Sequence, residues 1–134
     1  MESRGIHHLG VAVEALDAAL DTYRRFFGAK LEHRETVPEQ GVEAAVVLVG
    51  DSRVELLSSL GDDTPVGKFL ASRGPGMHHV AYEVADVRRT IAELEGEGAQ
   101  LIDTEPRRGL FGLEVAFVHP DSLHGVLAEV VSRG

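Results

Sequence analysis

Residues 5–13, GIHHLGVAV, and residues 76–84, GMHHVAYEV, write one pattern twice. A shift of 71 positions lays Gly5 on Gly76, His7 on His78, His8 on His79 and Val13 on Val84. After a one-residue slip, GAKL at 28–31 falls on GAQL at 98–101. An internal repeat of this kind makes the unit of folding a supersecondary module used twice, and every later assignment must hold for both copies.

Each copy opens on a short alternating run, which predicts a strand, and continues into apolar residues spaced by three or four, which predict a helix. In the first copy these are Leu16, Leu20, Tyr23 and Phe27; in the second, Val87, Ile91 and Leu94. Gly28 and Gly98 follow, as residues that stop helices by turning left-handed. Strand-like runs come next, GVEAAVVLVG and SRVELLSSL in one copy, LEVAFVH and GVLAEVV in the other, with turns at GDS (50–52) and HPDS (119–122). The pattern predicts an α+β fold of two tandem β-α-β-β-β modules, about 5–60 and 76–132, forming a curved mixed sheet around a metal-containing cavity. A linker over 61–75, with a short helix around Val66 to Ser72, joins them into a single domain spanning 1–134.

Alternation then assigns faces. Leu9, Val11 and Val13 share one side of the first strand and His8, Gly10 and Ala12 the other; in the copy, Val80, Tyr82 and Val84 oppose His79, Ala81 and Glu83. One side packs under the helix. The other sets each histidine beside a small residue, which leaves room for a cavity. Parity also puts Glu55 opposite Val54 and Leu56, and Glu129 opposite Ala128 and Val130. A carboxylate inside an apolar strand needs a proton, a counter-ion or a metal to offset burial. If the two copies bring their sheets together, His8, Glu55, His79 and Glu129 converge as two imidazoles and two carboxylates, a donor set for a divalent first-row cation with positions open to substrate oxygens. The competing reading makes Glu55 and Glu129 solubilising charges on edge strands. His7 and His78 are expected to be structural, and His33, His119 and His124 to face solvent near turns or strand ends.

Composition excludes several classes. The 134 residues contain no cysteine, so disulfides and thiolate metal sites are absent. A net charge of -9 opposes binding to nucleic acid or anionic membrane. The sequence has no apolar run near the roughly 20 residues of a membrane span, and MESRG lacks a secretion-signal pattern, so the expected location is cytoplasmic.

With those residues in place, the chain resembles the vicinal oxygen chelate superfamily (glyoxalase/bleomycin resistance/dioxygenase), and within it the methylmalonyl-CoA epimerase family. VPEQGV, DTPVGKFL, GMHH, TEPRRG and HPDSLHGVLAEV carry the resemblance in that order, over nearly the whole chain. It implies a metal-dependent epimerase that interconverts (2R)- and (2S)-methylmalonyl-CoA by α-proton abstraction through a metal-stabilised enolate. His8, His79 and Glu129 fill the family's metal positions, with Glu55 at one where relatives carry Gln or Glu. Cobalt is the foremost metal; manganese, nickel, magnesium, zinc and iron also accept mixed nitrogen and oxygen ligands. The implied partners are an acyl-CoA thioester and a second copy in a homodimer. Glu129 is expected to double as one catalytic base. The glutamate proposed as the second base in some relatives falls on Ala44, which leaves neighbouring Glu43, of opposite parity, as a second choice with a histidine or water as rivals. Gln40 is a candidate substrate donor or else a turn residue. Arg107 and Arg108, beside a flexible RRGLFG loop, are candidates for the CoA phosphates, with Lys68 and Arg73 also available. Two alternatives stay open, a glyoxalase I-like lyase and a metal-free small-molecule binding or resistance protein of the same fold.

Overall fold

A computed structural model describes residues 2–133. Strands β1 (Ser3–Ala12), β2 (Lys30–Val37), β3 (Val42–Val49) and β4 (Ser52–Ser59) accompany helix α1 (Leu16–Phe27) in the first copy. Helix α2 (Pro65–Arg73) follows, covering the expected short helix. The second copy has β5 (Gly76–Val84), α3 (Val87–Gly96), β6 (Arg107–Arg108), β7 (Glu114–Val118) and β8 (Ala128–Ser132). The repeat is visible in the sheet. Strands of the first copy run in the order β2-β3-β4-β1, and those of the second, read from the other end, β6-β7-β8-β5. In both, the first strand lies parallel to the last and the remaining pairs are antiparallel.

The chain divides into two compact units, 8–78 and the remaining described residues, 2–7 with 79–133. In the first unit, Leu16, Ala29, Ala45, Val47 and Leu56 form the core, with Val11, Val13, Leu20, Tyr23 and Val54 packed against it. The 3.6-residue period of α1 therefore meets the two-residue period of the sheet on the face that alternation selects. In the second unit Val84, Val87, Ile91, Ala116 and Val130 play the same part under α3, while Ala81, Val115 and Val131 cluster on the opposite face.

Gly28 ends α1 with φ +63°, and its N–H donates to the Arg24 carbonyl at 3.0 Å. Gly98 has φ +86° but sits two residues beyond α3, whose last turn is closed by Ala99 donating to Leu94 at 3.0 Å. Among the described residues no helix is long and apolar enough to cross a membrane.

The RRGLFG segment differs from the expected loop. Arg107 and Arg108 pair with Val115 and Glu114 as a two-residue strand, and a tight turn over Leu110–Gly112 buries Leu110. The burial of a leucine in the turn explains why the segment is anchored. The final strand is also shorter than the apolar run GVLAEVV suggests, because Gly125 adopts φ +97° and closes a turn onto Pro120.

Candidate active site and metal centre

Parallel pairing places the two glutamates in equivalent positions. Glu55 on β4 stands beside Gly10 on β1, and Glu129 on β8 stands beside Ala81 on β5. Side chains paired in register share a face, so each carboxylate has a small residue beside it on the parallel strand. Both are sealed from water, Glu55 at 6% exposure and Glu129 at 4%. Within each copy the histidine of the repeated motif approaches the glutamate, His8 Nε2 to Glu55 Oε1 at 3.4 Å and His79 Nε2 to Glu129 Oε1 at 3.7 Å. The edge-charge alternative fails on topology. β4 lies between β3 and β1, and β8 between β7 and β5.

His8, His79 and Glu129, all buried, each offer one ligand atom, and these atoms lie within 4.8 Å of one another, a group that can hold a metal ion. The donor chemistry fits a first-row divalent cation, since two imidazoles and a carboxylate supply intermediate nitrogen and hard oxygen ligands together. Burial supports the same fit. A carboxylate removed from water is costly unless its charge is met by a partner. The ring of Phe117 stands edge-on to His79, 5.5 Å between centroids, and Phe117 is paired in register with Glu129. An aromatic wall there limits the orientations open to the imidazole.

The other candidates separate. Glu43 is paired with Ser58 and shares the face of β3 that carries Ala45 and Val47 against α1, whereas Val46, in register with Glu55, lies on the opposite face. There Glu43 accepts from Arg34 Nε at 3.0 Å, and Arg34 also donates to Asp17 on α1 at 2.6 Å. Glu43 and then Asp17 raise the Arg34 pKa above its ordinary value, so the guanidinium stays charged. That placement sets Glu43 in an ion pair on the helix side, on the face opposite the one that carries Glu55. Ala44, by contrast, is on the Glu55 face and fully buried.

Gln40 closes a single 3-10 turn, Pro38–Gln40, and its Nε2 is buried without a hydrogen-bond partner. A ligand oxygen reaches that nitrogen only if the turn shifts. Arg107 is held by Asp103 at 3.0 Å and lies over the Phe117 ring, 5.9 Å from its centroid, while Arg108 is exposed. Lys68 and Arg73 are on α2, where Arg73 lies 5.7 Å over the Phe69 ring and His78 meets the same ring edge-on at 5.0 Å. His7 is buried. His119 caps the turn over Pro120–Leu123, its Nδ1 accepting from Asp121 N–H at 3.0 Å, and His124 is exposed with φ +58°.

Sequence reasoning missed one arrangement. His33 Nε2 lies 2.8 Å from Glu35 Oε1 on β2, and Arg53 holds Glu32 through Nε at 2.8 Å. The alternation of HRET gave no sign of it, because a register shift between Leu31 and His33 decides which way these residues point.

A family model for the Glyoxalase/Bleomycin resistance protein/Dioxygenase superfamily matches residues 7–117, and the chain belongs to that superfamily. The ethylmalonyl-CoA/methylmalonyl-CoA epimerase of Cereibacter sphaeroides is 33% identical over 127 residues, covering 93% of this chain and 95% of that protein. The methylmalonyl-CoA epimerase of Mycobacterium tuberculosis superposes with a TM-score of 0.94 at 32% identity, over 98% of this chain and 89% of that one. A methylmalonyl-CoA epimerase solved in complex with methylmalonyl-CoA and NH4+ gives 0.95 at 38% identity, over 98% and 95%. Within the superfamily the chain belongs to the methylmalonyl-CoA epimerase family, a family of enzymes.

Proposed function

We propose that this enzyme interconverts (2R)- and (2S)-methylmalonyl-CoA by taking the proton from C2 and returning one to the opposite face. The observation that carries the reading is the buried group His8, His79 and Glu129, in a chain whose relatives include a methylmalonyl-CoA epimerase solved with methylmalonyl-CoA. These three residues, with Glu55, would hold a divalent cation, cobalt foremost. When bound, that cation supplies Lewis-acid stabilisation of the negative charge developing on the thioester oxygen, an effect worth several kcal/mol, each roughly 1.4 of which is tenfold in rate.

The chain's own residues do the rest. Glu129, buried beside Ala81, is the carboxylate placed to accept the C2 proton. Gly10 and Ala81 are the small residues in register beside the two carboxylates. Arg108, exposed on the short strand β6, is the better placed of the two arginines for a CoA phosphate, since Arg107 already serves Asp103. A homodimer, carried by the family resemblance, completes the proposal.

The test is incubation of metal-loaded protein with (2S)-methylmalonyl-CoA in deuterated water. Deuterium entering at C2 together with appearance of the (2R) epimer is the expected result. No exchange at any metal loading rejects the assignment.

A further inference from the structure

Within the unit that contains residues 79–133, one guanidinium shares the face of His79 and Glu129. Phe117 is in register with Glu129, and Glu129 with Ala81. One step along the same strands, Arg107 is in register with Val115, and Val115 with Val131. Residues two apart on a strand share a face, as do residues paired in register. Arg107, Phe117, His79 and Glu129 therefore project from one side, and the buried cluster of Ala81, Val115 and Val131 lies between their strands on that side. Contact follows the register. The Arg107 guanidinium lies over the Phe117 ring, 5.9 Å from its centroid, and that ring meets the His79 imidazole edge-on at 5.5 Å.

Asp103 holds the guanidinium in this place. Its Oδ2 accepts from the Phe117 N–H at 2.8 Å, and its Oδ1 stands 3.0 Å from Arg107 Nε. One carboxylate thus ties the cation to the residue whose ring it covers. The Phe117 carbonyl accepts in turn from Ile102 and Asp103 N–H at 3.0 and 3.3 Å, which fixes the segment carrying Asp103 along β7. The Asp103 side chain is 12% exposed and that of Arg107 40%, so a sheltered anchor presents a reachable cation. Among the described residues Asp103 is the one acidic partner of Arg107. A guanidinium has five donors, and pairing at Nε leaves its terminal nitrogens for a second anion.

We infer that Arg107 receives the free carboxylate of the substrate and that Asp103 is its positioning residue, an inference that rests on the proposed function. C2 is one bond from that carboxylate. A substrate whose C2 proton goes to Glu129 brings its own negative charge close to a buried carboxylate, and a guanidinium on the same face offsets the repulsion. The nucleotide phosphates stand a whole pantetheine arm away from C2 and fall to other cations. The site then selects thioesters bearing a 2-carboxyl group over neutral acyl thioesters.

Calorimetric titration of the metal-loaded protein with methylmalonyl-CoA and with propionyl-CoA, the same thioester without the carboxylate, tests this. In Arg107→Met the Kd for methylmalonyl-CoA should rise about 30-fold or more, as for a truncated charge pair, and the Kd for propionyl-CoA should stay at the wild-type value. Arg107→Lys, which keeps the charge and loses the fork, should lie between wild type and Arg107→Met. Asp103→Asn should also weaken methylmalonyl-CoA alone, an effect that a merely structural ion pair would not have. Unchanged affinity for methylmalonyl-CoA in Arg107→Met overturns the inference. An equal loss for both thioesters overturns it as well, because the contact would then be to the CoA portion that they share. Either result leaves the epimerase reading intact; that reading fails instead if wild-type protein exchanges no deuterium at C2.

Discussion

At the scale of single residues, small side chains decide what the site can hold. Ala81 is in register with Glu129 and fully buried, so any larger residue there must take space from the carboxylate. Ala81→Leu is expected to cost about 1–3 kcal/mol as overpacking and to abolish metal uptake while the far-UV circular dichroism stays native. Metal analysis of the purified variant checks it; full stoichiometry would show that the Glu129 carboxylate does not depend on that gap. The side of the strand taken by His8, Glu55, His79 and Glu129 was legible from alternation alone, because β1, β4, β5 and β8 run straight through those positions. His33 and Glu35 were not. A one-residue bulge inverts parity without leaving a mark in the composition of HRET, and only the partner strand reveals it. The opposite outcome holds for Glu43, whose parity could be read from its neighbours and agrees with its place against Arg34.

At the scale of elements, the packing of α2 fixes the turn before β3. Thr64 caps that helix, its Oγ1 accepting from Gly67 N–H at 3.0 Å, and Gly41 passes so close that an added Cβ would stand 2.5 Å from Thr64 Cγ2. Thr64→Ala removes the cap and should lower stability by about 1 kcal/mol, a Tm fall of about 4 °C. Gly41→Ala should fall further, because it adds a steric clash to a φ of +68° that suits glycine. A thermal melt ranks the two, and equal Tm values would contradict the close approach. On α1, Arg24 and then Arg25 donate to Asp21 and lower its pKa below the usual 3.8. A depressed carboxylate stabilises the fold above its unfolded pKa and loses that contribution as pH falls through the folded value. Asp21→Asn should therefore lack this part of the acid-side decline, a small effect for an exposed group, visible as a flatter Tm profile below about pH 4. The helices and long strands were readable because their periods are carried by many residues. β6 was not, since two residues have no period, and its pairing with Val115 and Glu114 comes from the turn that buries Leu110.

At the scale of the whole molecule, duplication is the organising fact. The same strand order, the same parallel pairing of first and last strand, and the same glutamate beside a small residue appear in both copies. The copies have since diverged where the repeat does not constrain them: β2 is eight residues long and bulged, while β6 has two. Under the proposed function the duplicated histidine would serve one cation, since either copy alone supplies one imidazole and one glutamate. Native mass spectrometry of the cobalt-loaded protein measures this without recourse to turnover. One ion per chain is expected in the wild type, lost on both His8→Ala and His79→Ala with the fold retained. Full metal occupancy in either variant would contradict a site built from both copies.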